Sequence, residues 1–263
     1  MPCFAYFLHC FFYTRFVGLD WGLPYPMHPD ERNMASALQS LECPTGSSIK
    51  DCFNPGFFAY GQLPLYVGFA LVKLWQLVTN IPLHASIGFV EATMALRIIS
   101  VCASTLALYF VVGIVHRLSN KKKLDSTATA ITVLLWTYAP YAIQFAHFGT
   151  TESLLMALYA GIVLYSIDIV HTHHSNRAVL IAALLAGCAV ATKISSLLFL
   201  PLPFMAILAS KDRAKLVSFA TFIVFTGIFA ALLSPHNIIS YQQFLSAMRY
   251  EVGIGQGTVV AFL

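Results

Sequence analysis

Four consecutive residues, His28-Pro29-Asp30-Glu31, place two adjacent carboxylates just beyond a short apolar segment at residues 3–19. Ionised groups beside a bilayer are costly unless they are paired or functional. Four more ionisable residues stand at the ends of later apolar runs: Arg97, His147, Glu152 and Lys193. Two carboxylate positions facing an arginine and a lysine suit one kind of chemistry. A base takes the proton of a hydroxyl while cations hold a departing phosphate. Asp30 is the expected base, with Glu31 and Glu152 as further acids and Arg97 and Lys193 as the cations. Asp30, His147 and Glu152 also have the donor atoms for a divalent metal ion, although nothing in the sequence fixes their geometry. Each residue has a plainer reading too. Pro29-Asp30-Glu31 fits the first turn of a surface helix, where proline and acids are both favoured. Arg97 and Lys193 fit snorkelling cations, Glu152 a helix cap, and His147 a packed interfacial ring.

The rest of the chain must hold these groups at a membrane. Of 263 residues, 58% are hydrophobic and only 10% are charged, and the mean hydropathy is +0.74. A soluble domain carries roughly 25% charge, so the composition is that of an integral membrane protein. The net charge of +4 is spread over loops with no basic tract among aromatics, which argues against a nucleic-acid partner. Cys3, Cys10, Cys102 and Cys188 sit in apolar runs, whereas Cys43 and Cys52 share one polar loop. Those two would pair if the loop faced an oxidising compartment.

Residues 3–19 read as a first span, and 20–62 as the most polar stretch. Within it, Met34, Leu38 and Leu41 share one face of an amphipathic helix expected on the membrane surface. Ala59–Val78 is long enough to cross, yet it carries Pro64, Lys73 and Trp75, residues of an interfacial anchor. Later spans fall at about 95–116, 127–147, 153–170, 178–192, 194–210 and 216–233. If 59–78 does not cross, Arg117, Lys121, Lys122, Lys123, Arg177, Lys211, Arg213 and Lys215 share one face. The acids Asp20, Asp30, Glu31, Glu42, Asp51, Glu91, Glu152 and Glu251 then share the other. The positive-inside rule makes the basic face cytoplasmic. The expected fold is therefore all-α: a polytopic transmembrane helix bundle of about seven spans, with juxtamembrane helices in the first outer loop. It reads as one domain over 1–263, with an outer loop at 20–92, a bundle at 93–233 and an outer segment at 234–263 that breaks off in an apolar run. Lys193 tips a hairpin on the outer side. The run His171-Thr172-His173-His174 reads as a solvated cytoplasmic loop.

Several motifs resemble the GT-C membrane glycosyltransferases. They are His28-Pro29-Asp30-Glu31 after the first span, Asn54-Pro55, and Tyr60-Gly61-Gln62-Leu63-Pro64-Leu65-Tyr66. Leu96-Arg97-Ile98-Ile99-Ser100, Phe145-Ala146-His147-Phe148-Gly149-Thr150-Thr151-Glu152-Ser153 and Ala191-Thr192-Lys193 follow in order. The nearest branch in these motifs resembles the protein O-mannosyltransferases and lipid A aminoarabinose transferases, of the glycosyltransferase family 39 type. The resemblance implies a polyprenyl-phosphate-linked sugar donor, a protein, lipid or glycan acceptor, and an active site on the non-cytoplasmic face of a plasma or ER membrane. It implies hexosyl or mannosyl transfer with inversion, with or without a divalent metal ion.

By the same resemblance Asp30 matches the catalytic acid of the first loop and Glu31 its neighbour. Glu152 matches a second acidic position, Arg97 the cation at the donor phosphate, and Lys193 a Thr-Lys motif. One departure is that aminoarabinose-type members carry a lysine where this chain has Leu63, before Pro64. Another is that relatives continue through further spans. A non-catalytic assembly subunit or a transporter is the rival class. A transporter predicts internal repeats, and the sequence shows no such symmetry.

Overall fold

The computed structural model describes residues 2–43, 46–48, 50–119, 122–171, 176–211 and 214–261. The elements in order are α1 Pro2–Phe16, α2 Pro29–Gln39, α3 Leu63–Val78, α4 Phe89–Leu118, α5 Lys122–Tyr138, α6 Pro140–Ala146 and α7 Glu152–His171. Then come α8 Asn176–Thr192, a 3-10 turn at Ile194–Phe199, α9 Pro201–Ala209, α10 Lys215–Leu233, α11 His236–Ile239 and α12 Tyr241–Ala261. Among the described residues there is no strand. The protein is an all-α helix bundle.

Among the described residues, three helices are long and apolar enough to cross a membrane: α4, α7 and α10. The remaining expected spans are shorter or broken. The stretch expected to run unbroken over 127–147 stops at Tyr138 and restarts at Pro140. Proline has no N–H, so the carbonyl four residues before it loses its helical partner. That carbonyl belongs to Trp136, and it is taken up by Arg15 Nη2 at 2.6 Å. Arg15 Nη1 also reaches the Thr137 carbonyl at 3.3 Å and Nε reaches Ser104 Oγ at 3.1 Å. A fully buried arginine of α1 thus caps the negative end of α5.

Helices α4 and α7 run parallel. Ser100 Oγ, about three turns into α4, donates to the Thr150 carbonyl at 3.4 Å just before α7. Arg117 grips Asp168 at 2.7 Å near their ends. The starts of α4 and α7 are thereby held at one end of the bundle. Helix α8 packs between α7 and α10 through small residues, among them Ala182, Ala183, Ala186 and Ala189, all buried. At Gly187 an added Cβ would lie 2.5 Å from Phe229 Cβ, the close approach that small residues permit between membrane helices.

Two expectations change. The apolar stripe of α2, with Met34, Leu38 and Leu41, is buried against Leu65 and Val72 of α3 and Ala92, Ala95 and Leu96 of α4. It therefore faces protein, because α3 and α4 fold over it. Helix α4 starts at Phe89, capped by Glu91 Oε2 accepting from the Gly88 N–H at 3.0 Å. Arg97 consequently lies more than two turns inside the helix. It does not open it. Of the run His171–His174, residues 172–174 lie outside the described residues, as do Lys121 and Arg213.

Candidate active site

At the end of the bundle where α4 and α7 begin, α2 presents its first turn. Pro29 takes the first helical position and His28 Nδ1 accepts from the Asp30 N–H at 3.3 Å. Successive helical residues diverge by about 100°, so Asp30 and Glu31 leave this turn on different sides.

Glu31 turns inward and is 2% exposed. Its Oε1 accepts from Arg97 Nε at 2.7 Å and from the Gly149 N–H at 2.6 Å, and its Oε2 accepts from Arg97 Nη2 at 2.8 Å. Arg97 is fully buried. Its Nη1 donates to the carbonyls of Leu19 and Trp21, the latter at 2.8 Å, and its guanidinium lies 5.3 Å from the Trp21 ring. Both ions are paired and hydrogen-bonded, the condition for burying charge. Gly149 is required here, because a Cβ would lie 2.6 Å from Leu96 Cβ and 3.2 Å from Glu31 Oε1. The guanidinium expected at a donor phosphate is thus occupied by a carboxylate and two carbonyls.

Asp30 turns the other way, partly exposed, toward Tyr60. The Tyr60 phenol stands close enough to Asp30 to feel its carboxylate. Burial pushes this phenol above its ordinary range, and the carboxylates of Asp30, Glu152 and Glu251 add to the rise. Negative neighbours disfavour a phenolate, so Tyr60 stays protonated. Lys193 Nζ sits 4.9 Å from the centroid of the same ring, within cation–π range. It also stands 3.9 Å from Glu152 Oε1, with the two side chains 33% and 22% exposed. This loose contact leaves both groups available. The second oxygen of Glu152 is buried with no partner among the described residues.

Tyr60 is placed by an unusually close backbone crossing. The Gly61 N–H donates to the Thr192 carbonyl at 2.9 Å, and a Cβ on Gly61 would lie 1.9 Å from the Ala191 oxygen. Only glycine lets loop 56–62 lie on the end of α8, beside Lys193. Behind it, Gln62 is fully buried. Its Oε1 accepts from the His236 N–H at 2.9 Å and from Tyr66 OH at 3.2 Å, and its Nε2 donates to Asn237 Oδ1 at 3.1 Å. Ser234 Oγ accepts from the Gln62 N–H at 3.1 Å. The expected pair Cys43–Cys52 forms a disulfide in the same loop system.

His147 is not a partner of Asp30 or Glu152. Its ring nitrogens lie 2.8 Å from the Ile143 carbonyl and 3.0 Å from the Val17 carbonyl. Among the described residues no three His, Cys, Asp or Glu side chains gather as a metal site. The trio Asp30, His147 and Glu152 therefore does not fit as a ligand set, because the carbonyls of Ile143 and Val17 take both ring nitrogens of the histidine. The residues missed from sequence are Tyr60, Gly61, Gln62, Gly149 and the Ser234-Pro235-His236-Asn237 turn. Their signal was present: polar residues and glycines inside quoted motifs and directly after an apolar span.

An all-α bundle of apolar helices with a charged cluster at one end defines an integral membrane protein with a candidate active site at its rim. The chain belongs to glycosyltransferase family 87, whose model matches residues 79–259. The matched range includes Arg97, His147, Glu152 and Lys193, while Asp30, Glu31 and Tyr60 precede it. The match is to family 87 and not to the protein O-mannosyltransferase type that the motifs resemble. No curated protein matches this chain.

Proposed function

We propose that the protein moves a sugar from a polyprenyl-phosphate donor to an acceptor hydroxyl on the non-cytoplasmic side of its membrane, with Asp30 as general base. The observation that carries this is the cluster of Asp30, Tyr60, Lys193 and Glu152 at one open end of the bundle, next to a sealed Glu31–Arg97 pair. Tyr60 stands near the Asp30 carboxylate, which is partly exposed and open to an acceptor proton. As that proton passes to Asp30, the acceptor oxygen bonds the anomeric carbon. The bond from that carbon to the phosphate oxygen breaks, and its electron pair leaves with the polyprenyl phosphate. A single displacement of this kind inverts the anomeric centre.

The leaving phosphate needs a cation. Arg97 is fully engaged, so we assign this role to Lys193, which is one-third exposed and only loosely held by Glu152. Arg97 is then a positioning residue: with Glu31 and the Gly149 N–H it locks α2 to α4 and to the turn that enters α7. A prenyl tail needs apolar surface, and the groove of about 540 Å³ between α3 and α4 offers it through Leu71, Trp75, Val78, Met94 and Ile98. We further propose seven crossings, with α3 lying in the interface. Arg117 and Arg177 then share the cytoplasmic side, and the Cys43–Cys52 bridge lies on the side where disulfides persist.

The test uses the protein in vesicles with synthetic polyprenyl-phosphate hexoses and a panel of acceptors. Lys193→Met should slow release of polyprenyl phosphate by about 10²-fold, the cost of one lost transition-state donor. Unchanged turnover in Lys193→Met removes it from the site. No release from any hexose donor overturns the donor class.

A further inference from the structure

Beside the Asp30 cluster lies a second cavity of about 440 Å³, between loop residues 56–59 and the first half of α12. Its lining includes Phe57, Phe58, Gln243, Ala247, Tyr250 and Glu251. The volume is in the range of sites that enclose small ligands.

We infer that this cleft binds the acceptor, and that the acceptor presents a neutral carbohydrate ring there. The inference rests on the reading of Asp30 as base and deepens it by naming the acceptor's chemistry.

The first support is position. Ala59 lines the cleft and is bonded to Tyr60, whose ring lies 4.9 Å from Lys193 Nζ and whose phenol feels the Asp30 carboxylate. Glu251, at the far wall, is among the carboxylates whose charge Tyr60 feels. A ring seated between these walls lies next to the base.

The second support is that the walls are fixed to one another. Asn54 Nδ2 donates to Ser240 Oγ at 3.3 Å and to Gln243 Oε1 at 3.2 Å. The Phe58 and Phe244 rings pack edge to face at 6.4 Å. His236 Nε2 lies 3.0 Å from the Cys52 carbonyl. The cleft is therefore preformed, which lowers the ordering cost of binding.

The third support is chemistry. A sugar ring has an apolar C–H face and a rim of hydroxyls. Phe57 and the exposed Tyr250 supply aromatic surface for the face. Gln243 has its oxygen engaged by Asn54, while its NH₂ has no partner among the described residues. Glu251 makes no ion pair with a described residue. One donor and one carboxylate acceptor suit vicinal hydroxyls. The lining has a carboxylate and no lysine or arginine, so a phosphorylated or otherwise anionic acceptor meets repulsion.

Binding is measured without donor, on the protein in nanodiscs, by saturation-transfer NMR and competition. The probes are a methyl hexopyranoside and the corresponding hexose 6-phosphate. The methyl hexoside should bind saturably, and the phosphate at least about tenfold more weakly. Tyr250→Ala and Ala247→Trp, at positions outside the packed core, should each weaken the neutral sugar by about tenfold. Glu251→Lys should narrow or reverse the preference against the phosphate. Absent binding, equal binding of both probes, or wild-type binding in Tyr250→Ala and Ala247→Trp overturns the inference. Because no turnover is involved, that result leaves the role of Asp30 to its own rate measurement. A failed Asp30 test would in turn leave these binding constants standing.

Discussion

Asp30 and Glu31 share one turn of α2 and one ionisable chemistry, yet their surroundings differ in every respect. Glu31 is sealed: a fully buried guanidinium and a backbone N–H take its two oxygens, and no water-accessible face remains. Asp30 is left with a phenol on one side and, around that phenol, a one-third exposed lysine and a second carboxylate. The sealed side spends its charge on holding three helices together. The open side leaves its charged groups partly exposed where a substrate can arrive. An ion pair that is closed on all sides is a poor place for proton transfer, and the open carboxylate is a good one.

The largest effect should come from opening the sealed side. Glu31→Ala leaves Arg97 buried without its carboxylate, and breaking a buried pair in this way costs about 3–5 kcal/mol. Denaturation should show a greatly reduced midpoint and low recovery of folded protein. Adding Arg97→Met should restore part of the loss, since the uncompensated charge is then gone. Additive losses would mean that the two groups do not act as a pair.

A smaller effect is expected where the two sides are joined. Gly61→Ala drives a Cβ into the Ala191 oxygen, so loop 56–62 must lift from α8. Overpacking of this kind typically costs about 1–3 kcal/mol, and Tyr60 shifts relative to Lys193. Turnover should fall more than melting temperature does. The smallest effect is Tyr60→Phe on the open side. It removes a phenol beside Asp30, a polar neighbour worth at most about 0.5–1.5 kcal/mol, so a several-fold rate loss with unchanged folding is expected. Spectroscopic titration of the wild type should show Tyr60 and Tyr66 ionising above the ordinary range, both through burial, and Asp30→Asn should bring Tyr60 part of the way down while leaving Tyr66 in place. A wild type whose tyrosines all ionise together would contradict the placement of Tyr60.

Much of the α-helical, membrane-embedded character was legible, because composition and long apolar runs dictate it. The divergence of Asp30 and Glu31 was legible from helical geometry alone. The partner of Arg97 was not. Glu31 lies 66 positions away and Gly149 lies 118 from Glu31, and no local pattern records such contacts. Arg97 consequently read as a cation at a helix start, free to meet phosphate. Tyr60 carried no role of its own inside its motif, since nothing in its neighbours reveals that Gly61 lays it against Lys193. Pro140 was visible as a helix breaker, but the apolar run around it masked the break. What makes the break tolerable, Arg15 on the freed Trp136 carbonyl, is again a distant contact. The metal trio failed for a similar reason: His147 sits at the end of the short helix α6, where the carbonyls of Val17 and Ile143 hold it.

The most direct test compares Asp30→Asn with Glu31→Gln in one vesicle preparation, reading polyprenyl-phosphate release per folded molecule alongside melting temperature. Asp30→Asn keeps the side chain's shape, so melting should be unchanged while the rate falls by about 10²–10⁴-fold. Glu31→Gln should lower melting and cost less in rate per folded molecule. Wild-type turnover in Asp30→Asn would contradict the account and make Glu152 the base to examine next.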